Sequence, residues 1–340
     1  MSGTGTVEDA RTAWLRALDG LWTVPGPHRD ECVTRDQALL SLRCGEEVLD
    51  ELLDHGLPHA GEPPGELYER SDVINLGLAS GTLRSMAELG ALFLVKLGNA
   101  RSPDEWVRPM TWRLAGNLLP LHGRACGERP SWRFRRPQPG ELGGTLHRWE
   151  TEGADRLEDG VHVWEDAPAA GARGLVETRG ERREVRSPAI RELFREMLRF
   201  GFRSLPPSLE ADSESVARMG AGDCVAISLL AERECRRAGY EARSRRGYLL
   251  GLMGIGDHSW VEVVDDDGLV KIVDPVLVTV ARHVARAGEG PSSEFESFCL
   301  GSVNNRILPF GCPAPERIAA HSCGGSDAPA HAAIWVERDD

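Results

Sequence analysis

The chain has 340 residues, 41% of them hydrophobic and 27% charged, with a net charge of −13 and a pI of about 5.3. This composition is typical of a globular protein with enough apolar material for a core, and the length allows one large domain or two smaller ones. The acidic balance argues against unassisted binding to nucleic acid or to an anionic membrane surface.

The N-terminal residues lack the basic and apolar pattern of a leader, and the most apolar stretch, Leu89 to Leu97, is too short to span a bilayer. We therefore expect a cytoplasmic protein. The eight cysteines form no CxxC pair, and a disulfide framework is not expected in a long chain without a secretory leader. The sequence predicts neither a metal site nor an organic cofactor.

Residues 1–130 are predicted to form a mainly helical N-terminal region. Apolar residues recur at helical spacing in Val7 to Leu21, Glu46 to His55 and Thr82 to Leu97. This spacing predicts helices that each bury one face in a core. We expect the region to shape the substrate site or to bind a partner.

Residues 131–187 are rich in Gly, Pro and charge and are predicted to be a β-rich connector. Short apolar runs at Val161 to Trp164 and Gly174 to Thr178 indicate strands. Two arginine clusters are expected to be solvated surface that could receive an acidic partner: Arg133, Arg135 and Arg136, and Arg243, Arg245 and Arg246.

Residues 188–310 are predicted to be the catalytic core, followed by a loop-rich C-terminal tail over 311–340. Ser187 suits a helix N-cap and Pro188 suits the first helical position. A second, short helix is expected to start near Ser213. Glycines at 220 and 222 then predict a tight turn into Asp223 and Cys224.

Beyond this turn, Val225 to Arg237 is apolar enough to predict a buried helix. Strand-like runs follow, and the last two flank a hairpin turn at residues 265–268. The three predicted strands are Glu241 to Leu250, Ser259 to Val264 and Leu269 to Val273.

Three side chains in this half suit nucleophilic chemistry. Cys224 opens the buried helix, where unpaired N–H groups and the helix dipole favour a thiolate, and where its own N–H could hold an oxyanion. His258 begins a strand and can supply the acid and base function. Asp274 ends the neighbouring strand and can orient the imidazole.

Three blocks, separated by 34 and 16 residues, carry a resemblance to the transglutaminase-like superfamily: Gly222-Asp223-Cys224, His258-Ser259-Trp260-Val261-Glu262-Val263 and Val273-Asp274-Pro275. The resemblance covers roughly Ser187 to Thr279. Three ordered blocks are more specific than any one of them.

This resemblance implies an α+β fold with a papain-like core, in which the cysteine begins a buried helix packed on an antiparallel sheet. It implies that Cys224 is the nucleophile, His258 the acid and base, and Asp274 the orienting acid. Trp260 would pack beside the site, with Gly222 and Asp223 as further candidates for the substrate site. No residue convincingly supplies a second oxyanion donor. Arylamine N-acetyltransferases use a similar triad, but their nucleophile lies early in the chain.

The triad implies a thioester acyl-enzyme formed from an acyl donor, which is a small molecule, a peptide or a carrier-protein thioester. Attack by an amine acceptor would form an amide bond, whereas attack by water would make the protein a peptidase or amidase. A non-catalytic binding module of the same fold is the third possibility. The glycine-rich loop Gly251 to Asp257 could be a lid over the acyl-enzyme, or a plain strand connection.

Overall fold

The structure, a computed structural model, describes residues 7–120, 130–251, 256–285, 290–323 and 326–337. Within these ranges it is a mixed α+β fold, as predicted. The loop considered as a lid has its central residues, 252–255, outside the described ranges.

The helices of the described residues are concentrated in the first hundred residues and around the predicted site. They are α1 (Val7–Asp19), α2 (Arg35–Leu42), α3 (Glu46–Asp54), α4 (Arg70–Ala79), α5 (Met86–Gly98), α6 (Pro188–Met197), α7 (Pro207–Glu210), α8 (Ser213–Met219), α9 (Cys224–Arg237), α10 (Pro275–Val284) and α11 (Ser293–Phe298). The predicted start of α6 is confirmed, because the Ser187 hydroxyl accepts a hydrogen bond from the Ile190 N–H at 3.2 Å.

The strands fall mainly in the second and last thirds of the chain. They are β1 (Glu31–Thr34), β2 (Leu67–Glu69), β3 (Met110–Pro120), β4 (Ser131–Arg135), β5 (Thr145–Thr151), β6 (Arg156–Glu158), β7 (Val161–Trp164), β8 (Gly171–Thr178), β9 (Gly201–Phe202), β10 (Ala221–Gly222), β11 (Ala242–Leu249), β12 (Gly256–Val264), β13 (Val270–Val273), β14 (Leu300–Gly301), β15 (Ile307–Cys312), β16 (Ala319–Cys323) and β17 (Ser326–Glu337). Two short pairs, β1 with β2 and β9 with β10, stand apart from the larger sheets.

A five-stranded antiparallel sheet carries the predicted site, with strand order β14-β13-β12-β11-β15. The predicted hairpin between β12 and β13 is confirmed, and the Gly268 N–H donates to the Asp265 carbonyl at 2.8 Å. Helix α9 packs on β11 and β12, and its apolar residues join those of the sheet in one core. Burial of α9 against this sheet fixes the position of the helix N-terminus.

An eight-stranded sheet, of order β5-β8-β3-β17-β16-β4-β7-β6, forms the second layer. Its aromatic residues Trp112 and Phe134 share a core with Tyr248 and Phe310 of the five-stranded sheet. Successive residues of a strand point to opposite faces of the sheet. Because the neighbours Tyr248 and Leu249 of β11 are both buried, the five-stranded sheet is buried on both faces there.

The C-terminal segment differs from the sequence-based expectation. Residues 311–340 were expected to be a loop-rich tail, and that expectation is wrong, because β16 and β17 lie within the eight-stranded sheet. Strand β17 pairs with β3, more than 200 residues earlier in the chain. Strands β4 to β8 of the predicted connector belong to the same sheet, as does β3, which lies within the region predicted to be mainly helical. The division of the chain into four regions stays a prediction.

The N-terminal helices have a core of their own, in which α1 to α4 enclose Trp14, Leu49 and Tyr68. Helix α5 instead contributes to the core of the predicted site, where it packs on α10. The three helices predicted in this region are confirmed as α1, α3 and α5. Among the described residues, no helix combines the length and the apolar character needed to cross a membrane. The cytoplasmic location stays a prediction.

Gly247 is the point where β11 passes most closely beside the site. It pairs with His258, and a Cβ atom at this position would lie 2.3 Å from the Leu308 carbonyl oxygen and 2.8 Å from the Trp260 ring. Neither group can move freely, because one is backbone and the other is a buried ring. Gly90, within α5, has no atom within 4 Å of the corresponding position.

We expect Gly247→Ala to lower the free energy of unfolding by about 2 kcal/mol or more, because the added methyl group overpacks the core. Gly90→Ala, the matched control, should be neutral or stabilising by about 0.5–1 kcal/mol, because alanine favours a helix interior. Urea denaturation of the three proteins measures both effects. Equal stability of the two variants would contradict the packing described here.

Candidate active site

Cys224 lies at the first position of α9, as the glycine turn before it predicts. The N-cap is Asp223, whose carboxylate accepts hydrogen bonds from the N–H groups of Ala226 at 2.9 Å and Leu205 at 3.3 Å. The thiol is partly exposed, and its Sγ lies 3.8 Å from the carbonyl oxygen of Asp257. The helix N-terminus therefore places the partly exposed sulfur in a local positive potential.

His258 and Asp274 form a buried pair on the neighbouring strands. The imidazole Nε2 lies 2.7 Å from Oδ2 of Asp274, and the two side chains are 6% and 2% exposed. The other Asp274 oxygen accepts a hydrogen bond from the Leu277 N–H at 3.4 Å and so caps α10. Because Asp274 holds Nε2, the ring nitrogen left for other partners is Nδ1.

The surroundings of His258 favour the charged imidazolium. Burial lowers its pKa, but the charge and hydrogen bond of Asp274 and a side-chain hydrogen bond with Cys224 outweigh burial and raise the pKa to about 10. The three predicted triad residues are thus brought together in space. Cysteine attacks acyl groups as a thiolate, and an imidazolium beside the sulfur can supply the proton that the leaving group needs.

The remaining residues expected near the site also lie there. The Trp260 ring stacks against His258 at a centroid separation of 6.2 Å and an angle of 29°. Its indole Nε1 donates to Glu262 at 3.4 Å. Gly222 is buried at the turn, where a Cβ would meet Ala226 at 3.2 Å, so this position tolerates little beyond glycine.

A charged group beside Cys224 was missed from the sequence. Arg246 is 4% exposed and forms an ion pair with Asp257 at 2.7 Å. The expectation that Arg245 and Arg246 are solvated surface is therefore wrong: β11 is buried on both faces, and Arg245 is only 9% exposed. In the sequence, the one indication of a buried ion pair at Arg246 was the acidic residue Asp257 immediately before His258.

The acid that caps α9 is itself perturbed. Burial and the nearby Glu210 carboxylate raise the pKa of Asp223 to about 7. Burial likewise raises the pKa of Glu210, which lies at the end of α7. Near neutral pH the Asp223 carboxyl is therefore partly protonated, which reduces the negative charge beside the sulfur.

Residues 177–275 match the family described as the transglutaminase-like superfamily. This segment of the chain is transglutaminase-like. The match contains Cys224, His258 and Asp274, and it confirms the resemblance read from the three sequence blocks. The transglutaminase-like segment comprises helices α6 to α9, strands β9 to β13 and the other residues within 177–275.

Two solved structures resemble the chain more distantly. A candidate cysteine protease from Cytophaga hutchinsonii is 12% identical, with a TM-score of 0.41, over 68% of this chain and 92% of the other. The periplasmic domain of TgpA from Pseudomonas aeruginosa, solved with ethylmercury, is 15% identical, with a TM-score of 0.26, over 57% of this chain and 97% of the other. No curated protein matches the chain.

Within the ranges that the structure describes, no group of three or more His, Cys, Asp or Glu side chains is arranged to hold a metal ion. The expectation that the chemistry needs no metal and no organic cofactor stays a prediction. It rests on the roles predicted for Cys224 as nucleophile, His258 as proton donor and Asp274 as orienting carboxylate.

We expect the free energy of unfolding to fall as the pH rises from about 6.5 to about 10 through the contribution of His258. Its pKa is 6.5 ordinarily and about 10 in the folded protein, so the stabilisation is full below the lower value and is lost through the higher one. Urea denaturation across this pH range measures the slope, whose His258 share amounts to a few kcal/mol.

Asp274→Asn should flatten this slope, because the amide cannot stabilise the imidazolium by charge. Asp19→Asn, on the exposed end of α1, is the matched control and should keep the wild-type slope. Other groups titrate in the same range, so the comparison rests on the difference between the variants. An unchanged slope in Asp274→Asn would contradict the charged pair.

Proposed function

We propose that the protein transfers acyl groups through a thioester on Cys224, and that the acceptor is an amine, so that the product is an amide. The observation that carries this proposal is the convergence of Cys224, His258 and Asp274 within a transglutaminase-like segment. A triad defines the class of reaction but not the acceptor, which depends on the molecules that can reach the site.

In the first half-reaction the Cys224 thiolate attacks the carbonyl carbon of an amide, ester or thioester donor. The backbone N–H of Cys224 at the start of α9 can donate to the developing oxyanion. The His258 imidazolium then gives its proton to the leaving group as the carbon–heteroatom bond breaks, which leaves the thioester. Asp274 holds the imidazole in orientation and stabilises its charged form.

In the second half-reaction the amine attacks the thioester carbonyl. Neutral His258 accepts the proton lost by the attacking nitrogen, and the thiolate departs as the amide forms. The site returns to the thiolate and imidazolium pair from which it began. Protons and electrons therefore balance over the two halves without a redox partner.

Packing of the N-terminal region beside the site supports a selective acceptor. Asn75 of α4 exchanges two hydrogen bonds with Ser204, at 2.8 and 3.0 Å, and Arg203 stacks on Trp22 at 4.9 Å. Arg203 and Ser204 come before the glycine turn that leads into Cys224. A helical region packed beside the site would restrict access to it, which suits one defined pair of substrates better than the varied chains that a general protease accepts.

Hydrolysis is the second candidate, because Cys224 is partly exposed and water can reach a thioester on it. The two functions share the first half-reaction and differ only in which nucleophile discharges the acyl-enzyme. A third reading, a binding module without activity, would have no need of a buried charged histidine beside a thiol.

We expect incubation with a 4-nitrophenyl ester to add one acyl mass to the wild-type protein, detectable by intact mass spectrometry. Cys224→Ala should remove the adduct and lower turnover by at least about a thousandfold. Cys44→Ala is the matched control, because burial raises the pKa of Cys44 to about 11 and leaves that thiol inert. An adduct that persists in Cys224→Ala would contradict the assignment of the nucleophile.

The acceptor is tested by the ratio of amide to free acid released at increasing concentrations of a primary amine such as ethanolamine. A transferase yields amide in proportion to amine, with saturation. Free acid as the sole product with every amine offered would refute amide formation and leave hydrolysis as the function.

A further inference from the structure

The surroundings of Cys224 hold more charge than the proposed triad uses. Three arginines and three acids from distant parts of the chain are linked there, pair by pair, by ion pairs or by charge: Arg70, Arg246, Arg317, Glu210, Asp223 and Asp257. Chemistry at a thioester needs none of the three arginines. Their presence together beside the site therefore indicates a role in substrate binding.

Arg70 comes from the N-terminal region. It is the first residue of α4, the helix whose Ser71 and Asn75 side chains contact Ser204. The next residue, Leu205, donates its N–H to Asp223, which immediately precedes the predicted nucleophile. The docking of α4 thus brings Arg70 towards the site, where it interacts with the charge of Asp257, the residue whose carbonyl oxygen lies 3.8 Å from the Cys224 sulfur.

Arg317 comes from the opposite side, in the segment that links β15 to β16. The same segment is held against the site by Arg246, which donates to the Ala314 carbonyl at 2.9 Å. The guanidinium of Arg317 lies 4.0 Å from the Glu210 carboxylate, beyond hydrogen-bond distance, and its side chain is 27% exposed.

The three arginines differ in how they are engaged. Arg246 is committed to Asp257 and to the Ala314 carbonyl. Within the residues that the structure describes, Arg70 forms no hydrogen bond and no ion pair, and Arg317 has only the long approach to Glu210. Both residues are partly exposed. A half-buried guanidinium loses hydration, and an anion supplied from outside restores its interactions.

We propose that Arg70 and Arg317 bind an anionic group of the acyl donor, a carboxylate or a phosphate, while the donor's carbonyl carbon lies at Cys224. This inference rests on the proposed function and adds the class of its substrate. Guanidinium groups suit the purpose because their planar forks match both anions with paired, charge-assisted hydrogen bonds. The two arginines reach the cleft from different regions, so binding requires the N-terminal region and the core together.

The test uses two alkylating reagents of nearly equal size, iodoacetate and iodoacetamide, which differ in charge. The ratio of their rates at Cys224, read by peptide mapping, reports how strongly the cleft attracts an anion beside the sulfur. We expect Arg70→Gln and Arg317→Gln each to lower this ratio by about tenfold, as expected for loss of a charge-assisted contact. Arg195→Gln, exposed on α6, is the matched control and should keep it.

A second measurement needs no substitution and so is independent of folding. Glutarate or inorganic phosphate should slow the labelling of wild-type Cys224 by iodoacetamide, whereas the neutral diamide of glutarate should not. Protection by glutarate identifies a carboxylate donor, and protection by phosphate identifies a phosphorylated one. Protection by neither, at constant ionic strength, overturns the inference.

The outcomes separate this inference from the proposed function. Rapid labelling of Cys224 by both reagents, with a ratio that the arginine substitutions do not change, overturns the anion site alone. Labelling of Cys224 no faster than that of Cys44 by either reagent overturns the proposed function and this inference with it.

Discussion

The bond between His258 and Asp274 is the interaction on which the site depends. Both groups are buried, and at 2.7 Å each supplies the charge that the other needs. Breaking such a pair by removing one partner leaves an uncompensated buried charge, which typically costs about 3–5 kcal/mol. The hairpin of β12 and β13 sets this distance, and the Asp274 carboxylate keeps the imidazole charged although burial by itself lowers the His258 pKa.

Two layers bury the sheet that carries this pair. Helix α9 covers one face of the five-stranded sheet and brings its own N-terminus, with Cys224, to the edge of the same face. The aromatic core shared with the eight-stranded sheet covers the other face. Structural and chemical requirements coincide at Gly247, where the absence of a side chain lets Trp260 lie against His258.

Features governed by neighbouring residues could be predicted from the sequence. The cap at Ser187, the turn at Gly268 and the helix after Cys224 each depend on a few adjacent side chains. The pairing of β17 with β3 could not, because it joins segments more than 200 residues apart and no local pattern encodes the partner. The burial of Arg246 could not be predicted either, because it depends on pairing with Asp257 of the neighbouring strand and on the distant segment whose Ala314 carbonyl accepts from the guanidinium.

The central claim is that Cys224, His258 and Asp274 act as one charged unit, and the protonation of the imidazole tests it most directly. In protein labelled with nitrogen-15 at histidine, two-dimensional NMR distinguishes the doubly protonated ring from either neutral tautomer. The account predicts that His258 is doubly protonated at pH 7 and that Asp274→Asn lowers its pKa. A His258 that is neutral at pH 7 in the wild-type protein would contradict the account.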